Sequence, residues 1–270
     1  MIKEKIFSFL KVIVFLLFTA PFIWMILISL QTLQEAMTLP PTILPEQPQW
    51  VNYVQAWTSI PIIKYLKNSI LVTGSVIVLQ LIIMIPAAYA FARYNFFGKN
   101  FFFAFILISF MVPAQITFIP IYLNFAKLNL IETFWPQIIP FASNTFGIFL
   151  LRQAFMQLPD EIFDAALLDH SNDFKTMLKI AVPMIKPAIF TTILFTFVGR
   201  WNDYFWPLVM TNSDDLRTLP IGIQLLRESE GVNNWHIIMA GNVILVVPII
   251  IVYIFTSKFI LKSFGYSGTK

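Results

Sequence analysis

The sequence lacks cysteine and has few charged or imidazole side chains. None of the 270 residues is cysteine, which excludes disulfides, thiolate nucleophiles and cysteine-based metal sites. Asp, Glu, Lys and Arg make up 12% of the chain, which is about half of what a soluble domain carries. The two histidines, His170 and His236, do not have the HExxH spacing of a zinc protease. A membrane-embedded enzyme, which would need a cluster of such groups within its spans, is therefore disfavoured.

The sequence also lacks a phosphate-binding loop of the GxxxxGK[ST] type. The nearest match, Gly98-Lys99-Asn100, has neither the first glycine nor the hydroxyl residue that the loop needs. Any ATP hydrolysis linked to this chain is therefore expected in another polypeptide.

Long apolar segments dominate what is present. Hydrophobic residues make up 58% of the chain, and the mean hydropathy is +0.76. A bilayer core needs about 20 apolar residues per helix, and closed barrels show an alternation that is absent here. The first segment is interpreted as a retained span, because its apolar run is too long for a signal peptide. The sequence predicts an all-α integral membrane protein whose six transmembrane helices lie at about 6–30, 68–92, 101–125, 134–151, 187–210 and 236–262.

The distribution of Lys and Arg predicts the orientation. Twelve of these residues fall on one side of the predicted spans and five on the other, with Arg200 inside a span. This bias predicts that both termini and the loop at 152–186 are cytoplasmic, and it explains the net charge of +4 without a nucleic-acid partner. On the outer side, the segment 31–67 is expected to fold against the membrane surface. The mixed-charge segment 211–235 is either a contact surface for a soluble partner or a solvated loop.

A charged segment between the fourth and fifth predicted spans differs from its apolar surroundings. It reads LPDEIFDAALLDHSNDFKTMLKIAVPMIKP over residues 158–187 and contains five carboxylates. Pro159 suits the first position of a helix, and Asp160 and Glu161 favour the positive end of the helix dipole. A first short helix is therefore predicted to begin at Pro159.

Two helix faces are predicted in this segment. The first helix has a face with small side chains that let another surface approach closely, formed by Ile162, Ala165, Ala166 and Asp169. Ser171 or Asn172 can cap a second helix. This second helix has an apolar face expected to pack beneath the bundle, formed by Phe174, Met177, Leu178 and Ala181. The segment is interpreted as a docking site for a cytoplasmic partner, the alternative being an amphipathic hairpin on the membrane surface.

The stretch DAALLDHSNDFKTMLKIAVP resembles the EAA motif of the membrane subunits of ATP-binding-cassette (ABC) importers. Asp164, Ala165 and Ala166 correspond to the Glu-Ala-Ala opening, with a conservative change at the acid, and Asp169 corresponds to the next acid. The ending of the motif is matched by Ile180, Val182 and Pro183. His170 stands where the pattern has glycine, the residue that takes left-handed conformations without steric cost.

Two further stretches are similar to the carbohydrate branch of this family, the permeases of the maltose-transporter type. GRWNDYFWPLVMTN, followed by RTLPIGI, is similar to the Trp-Asn-acid-aromatic and Thr-Leu-Pro stretches of those permeases. The stretch WHIIMAGNVILVVPIIIVYIFTSKFILKSFGYSGTK is similar to their last span and glycine-containing tail, with Thr269-Lys270 in place of the usual Lys-Gly. The resemblance covers roughly residues 68–270.

The resemblance implies a non-catalytic permease subunit that forms half of the path for a sugar or oligosaccharide. It implies the type I importer fold in a single transmembrane domain over 1–270, with a permease core at about 68–262 and a cytoplasmic coupling loop at 152–186. The ATPase-coupling residues that it implies are Asp164, Ala165, Ala166, Leu168, Asp169 and His170.

The same resemblance implies the partners. A cytoplasmic ABC ATPase dimer would hold ATP and Mg²⁺, so no cofactor is expected in this chain. A second homologous permease would complete the pore, and an extracytoplasmic solute-binding protein would deliver the solute. The expected location is a bacterial inner membrane.

A polar cluster interrupts the predicted fifth span. An ionisable residue at that depth costs roughly 3 kcal/mol, so it should face the bundle interior or a wet cavity. Arg200 and Asp203 are three residues apart and can pair, which would lock the helices. Alternatively, the cluster lines the translocation path, because its amide, carboxylate and aromatic groups suit sugar hydroxyls. The candidate path residues are Arg200, Trp201, Asn202, Asp203 and Tyr204.

Two other functions remain open at this stage. One is an ABC permease for a non-sugar solute, such as a polyol or a glycerol phosphate. The other is an ion-coupled transporter or channel, which would work without an ATPase and leave the charged cytoplasmic segment unexplained.

Overall fold

The regular structure of the chain is helical throughout the part that the computed structural model describes, residues 2–228 and 234–265. The tail ending in Thr269-Lys270 and part of the mixed-charge segment 211–235, both named above, lie outside these ranges. A 3₁₀ helix spans Ile139–Phe141 and a π-helix spans Met177–Ala181. The α-helices are α1 (Ile2–Ser29), α2 (Leu33–Met37), α3 (Val51–Ser59), α4 (Ile62–Arg93), α5 (Lys99–Ser109), α6 (Ala114–Lys127), α7 (Trp135–Ile138), α8 (Thr145–Met156), α9 (Asp160–Leu168), α10 (Asp173–Thr176), α11 (Val182–Met184), α12 (Lys186–Trp201), α13 (Phe205–Met210), α14 (Leu219–Glu228) and α15 (Trp235–Gly265).

The long apolar helices confirm the all-α membrane class. Within the described residues, three helices are long and apolar enough to cross a bilayer alone, at Phe7–Ser29, Ile62–Arg93 and Trp235–Ile260. Two further candidates are bent pairs, α5 with α6 at 94° and the 173–184 segment with α12 at 79°. The first bend lies just before α6, where Pro113 is extended and has no backbone N–H to continue a helix.

The sequence predicts one continuous helix for the fourth span, 134–151, but the structure divides this segment into several elements. It contains α7, the 3₁₀ helix and a break before α8 begins at Thr145. Pro136 and Pro140 both lie in this stretch, and each removes a backbone donor. Asn144 then caps α8 by accepting a hydrogen bond from the Gly147 N–H at 3.1 Å. The 12 residues of α8 extend about 18 Å, less than the thickness of a bilayer core.

The described chain divides into two compact units. The first comprises residues up to Leu66 together with Thr218–Pro248. In it, the segment after α1 folds back on the end of that helix, because the buried Asn52 amide donates to the carbonyls of Ser29 and Gln31 at 2.9 and 2.8 Å. The 31–67 segment is thus ordered by hydrogen bonds of its own, whereas its expected contact with the membrane surface stays a prediction.

The second unit comprises Lys67–Arg217 and the chain from Ile249 onward. A buried polar link joins three of its elements: Gln80 of α4 accepts from the Thr196 hydroxyl of α12 at 2.6 Å and donates to the Phe141 carbonyl at 2.8 Å. An apolar core lies beside this link and includes residues of the charged segment at 158–187. Its buried members are Met84, Ala88, Tyr89, Ile148, Leu151, Phe155, Met177, Ala181, Ile185 and Ile189.

Candidate functional site

The predicted coupling helix is α9. It begins at Asp160, one residue later than predicted, because Pro159 is extended and precedes the first helical residue. Asp160 and Glu161 lie in the first turn, as expected from the dipole. The helix is nine residues long, so its stability depends on what holds it rather than on helix propensity.

The end of α9 is a Schellman turn centred on His170. The His170 N–H donates to the Leu167 carbonyl and the Ser171 N–H donates to the Ala166 carbonyl, both at 3.0 Å. His170 itself has a φ of 50°, in the left-handed region. The chain therefore makes the turn for which the family pattern uses glycine, although it carries an imidazole at that position.

The exposed surface of α9 is partly apolar. The face predicted from spacing is divided, since Ala166 is buried, Ile162 is half-buried, and Ala165 and Asp169 are exposed. Among the remaining predicted contact residues, Asp164 and His170 are exposed, and Leu168 is 82% exposed. Leu167 beside it is 73% exposed. Two adjacent leucines therefore face outward from a charged segment, where a partner protein or the membrane surface would cover them.

An ion pair connects α9 to the end of α4. Arg93, the last residue of α4, donates to the Asp160 carboxylate at 2.6 Å and stacks 3.7 Å from the centre of the Phe163 ring. The Tyr89 ring, which is also on α4, lies 6.3 Å from the Phe163 ring. These contacts hold the first turn of α9 against a membrane-spanning helix. Sequence reasoning missed them, because the partners are 67 residues apart and no local pattern joins them.

The second short helix, α10, begins as predicted. Asn172 caps it by accepting a hydrogen bond from the Lys175 N–H at 2.8 Å. Burial raises the pKa of Tyr94 to about 12, together with the hydrogen bond that its hydroxyl donates to the Asp173 carboxylate. The predicted apolar face is again divided: Met177 and Ala181 are in the core, whereas the other two members, Phe174 and Leu178, are exposed.

The polar cluster of the fifth span lies at a break in the helix. α12 ends at Trp201 and α13 begins at Phe205, so the intervening residues form a turn. Arg200 donates to Asp203 at 3.0 Å and stacks 3.7 Å from the centre of the Phe141 ring. The Arg200–Asp203 ion pair that the helical spacing allows is therefore present, and Arg200 also packs on an aromatic ring.

The five candidate path residues do not share one surface. Trp201 is buried and stacks on Phe197, with ring centres 5.1 Å apart. Arg200 and Asp203 are half-buried and paired, whereas Asn202 and Tyr204 are exposed. Within the residues that the structure describes, no three His, Asp or Glu side chains converge on a metal site. The geometry thus separates a packed group, centred on Arg200, from two polar side chains that are accessible.

Comparison with known proteins places these features in a family. A family profile described as binding-protein-dependent transport system inner membrane component matches residues 83–264, more than half of the chain. The arabinooligosaccharides transport system permease protein AraQ of Halalkalibacterium halodurans is 34% identical over 203 residues, which are 75% of this chain and 72% of AraQ. A putative ABC transporter permease protein, ORF2, of a Caldicellulosiruptor species is 32% identical over 270 residues, covering 99% of this chain and 97% of ORF2.

A solved structure agrees with the fold. One chain of a bacterial ABC transporter involved in the import of the acidic polysaccharide alginate superposes with a TM-score of 0.83 and 26% identity, covering 95% of this chain and 96% of that chain. The chain therefore belongs to the inner-membrane components of binding-protein-dependent transport systems and is an ABC importer permease.

Proposed function

We propose that this permease forms half of the translocation pathway for a sugar or oligosaccharide and is driven by a cytoplasmic ABC ATPase dimer that docks on α9. A solute-binding protein delivers the solute on the opposite side, and a second homologous permease completes the pore. ATP and Mg²⁺ bind the ATPase, and this chain has a mechanical rather than a catalytic role.

The observation that carries the proposal is the construction of α9. Leu167 and Leu168 are exposed near its end, and Asp160 at its start pairs with Arg93, the last residue of α4. A force applied to the leucines would therefore reach a membrane-spanning helix through a charged and stacked contact. The candidate coupling residues, Asp164, Ala165, Ala166, Leu168, Asp169 and His170, lie on or directly after this helix.

The relatives support the solute class. AraQ is named for arabinooligosaccharides, and the solved transporter imports an acidic polysaccharide. In this chain, Asn202 and Tyr204 are the accessible members of the fifth-span cluster, and an amide and a phenol suit sugar hydroxyls. We assign these two residues to the path, and we assign Arg200, Trp201 and Asp203 to holding the turn on which they stand.

Capture of the ATPase tests the docking surface. The tagged permease is purified from cells that also produce the ATPase of its system, and the ATPase that co-purifies is quantified. Leu168→Glu places a charge at the docking surface and should reduce the captured ATPase at least tenfold. Leu128→Glu is the matched control, since Leu128 is 65% exposed and lies after α6, on the face expected to be extracytoplasmic.

The same capture tests the orientation. A cytoplasmic ATPase reaches Leu168 only if the loop at 152–186 is cytoplasmic, as the Lys and Arg bias predicts. Equal capture with Leu168→Glu and Leu128→Glu would contradict both the docking surface and the proposed role of α9. In that case the alternative of a hairpin on the membrane surface would take its place.

A further inference from the structure

A polar cavity lies where α5 begins, and none of its lining residues belongs to α9 or to the candidate path residues. Its volume is about 400 Å³, it is open on one side, and it is lined by the turn after α4, the start of α5 and one residue of α8. Two cations and two amides supply its polar lining, and none of the described residues around it is acidic. These four side chains are Asn95, Lys99, Asn100 and Arg152.

The two cations are held in place without being neutralised. The Lys99 ammonium donates to the Tyr94 carbonyl at 2.8 Å, and the Arg152 Nε donates to the Phe91 carbonyl at 3.1 Å. The Arg152 guanidinium also stacks 4.1 Å from the centre of the Phe103 ring. Neither cation forms an ion pair with any side chain that the structure describes. The positions are fixed by neutral groups, so most of the charged N–H donors remain available to an anion.

The cavity lies at the boundary of the membrane. α4, a 32-residue candidate span, ends at Arg93, and the apolar α5 begins at Lys99, so the turn between them joins two helices at a membrane surface. Phe97 in that turn is fully exposed, and Phe101 beside the cavity is 70% exposed. Large apolar rings next to a cationic cavity match a ligand that has an anionic head and an apolar body.

We propose that this cavity binds the phosphate of an anionic phospholipid. The Arg152 guanidinium presents a fork of donors to two phosphate oxygens, Lys99 adds a second charge, and the two amides add neutral donors. A lipid headgroup and free inorganic phosphate share this chemistry. The exposed Phe97 and Phe101 favour the lipid, because only a lipid has an acyl region that these rings can contact. Because the turn directly follows Arg93, a bound lipid steadies the residue that holds α9.

Lipid exchange tests the proposal on the full chain, purified in detergent with its partners. After delipidation the protein is titrated with dioleoyl phosphatidylglycerol or with zwitterionic dioleoyl phosphatidylcholine, and bound lipid is counted by native mass spectrometry. Lys99→Gln and Arg152→Gln should each weaken phosphatidylglycerol binding about fivefold, the effect of one cation near a lipid headgroup. Lys179→Gln, which removes an exposed cation outside the cavity, should leave binding unchanged.

Three results would overturn the proposal. Equal binding of the two lipids would remove the anionic preference, and an equal loss with Lys179→Gln would show that only net charge matters. Displacement of phosphatidylglycerol by an equimolar amount of inorganic phosphate would assign the cavity to the free anion. Melting curves identify a variant that fails to fold. If Arg152→Gln fails to fold, Lys99→Gln alone still tests the proposal, because Lys99 makes a single hydrogen bond to a carbonyl.

Discussion

His170 follows α9 in a backbone conformation that is unfavourable for an L-residue. A left-handed backbone costs about 1–2 kcal/mol for residues other than glycine, and histidine tolerates it better than branched residues do. The hydrogen bonds of the turn are made by backbone groups, so the imidazole is not needed to form it. The family pattern has glycine here, and this chain keeps the turn at some cost in stability.

We therefore expect His170→Gly to raise the melting temperature of the purified permease. The free energy of unfolding should rise by up to about 1 kcal/mol, because relief of the left-handed strain is partly offset by the greater backbone entropy of glycine in the unfolded chain. His170→Val, a β-branched residue, should lower the melting temperature. A lower melting temperature for His170→Gly, or no loss for His170→Val, would contradict the strained turn.

In the two candidate sites, the residue types predicted which side chains cap a helix or form an ion pair, but they did not predict which side chains are exposed to solvent. The cap at Asn172 follows from a local rule and is found, and the Arg200–Asp203 pair follows from helical spacing and is found. Trp201 was grouped with the path residues, but it is buried against Phe197. Composition cannot tell which side of a broken helix faces the protein, since that depends on where the break falls.

At the scale of elements, α9 is attached to α4 by few contacts. The Asp160 side chain is 82% exposed, and an exposed ion pair contributes about 0–1 kcal/mol. The stacking of Arg93 on Phe163 adds a second contact with the same element. These contacts are weak in energy, which fits the proposal that α9 moves with a docked ATPase.

A double-mutant cycle tests this attachment. Arg93→Gln and Asp160→Asn should be non-additive in the free energy of unfolding by about 0.5–1 kcal/mol, because each removes the same pair. Arg93→Gln with Asp164→Asn is the control cycle, since Asp164 is exposed on the same helix and should combine additively. Additive effects in both cycles would show that the Arg93–Asp160 contact does not hold the helix.

The pattern of apolar segments predicted the existence of the membrane elements but not their division. Spans at α1, α4 and α15 follow directly from length and hydropathy. The 134–151 segment has the apolar composition of a span, yet Pro136, Pro140 and the Asn144 cap divide it. Prolines in an apolar run predict a kink, but whether the helix bends or stops depends on the neighbours that satisfy the freed carbonyls.

At the scale of the whole molecule, the family and the structural match establish an importer permease, and the coupling to ATP is the central claim of the proposal. The sequence has no phosphate-binding loop, and the proposal therefore has the energy of ATP hydrolysis reach the chain through a surface that a partner contacts. The exposed leucines of α9 and its attachment to α4 provide such a surface and a connection to the spans. An ion-coupled transporter would need neither feature.

The most direct measurement is uptake of a labelled oligosaccharide by the permease, its ATPase and its solute-binding protein, reconstituted together in proteoliposomes. The account predicts uptake that requires ATP, persists when ion gradients are collapsed, and falls at least tenfold with Leu168→Glu but not with Leu128→Glu. Uptake that continues without ATP as long as an ion gradient is kept, and that is unaffected by Leu168→Glu, would contradict it.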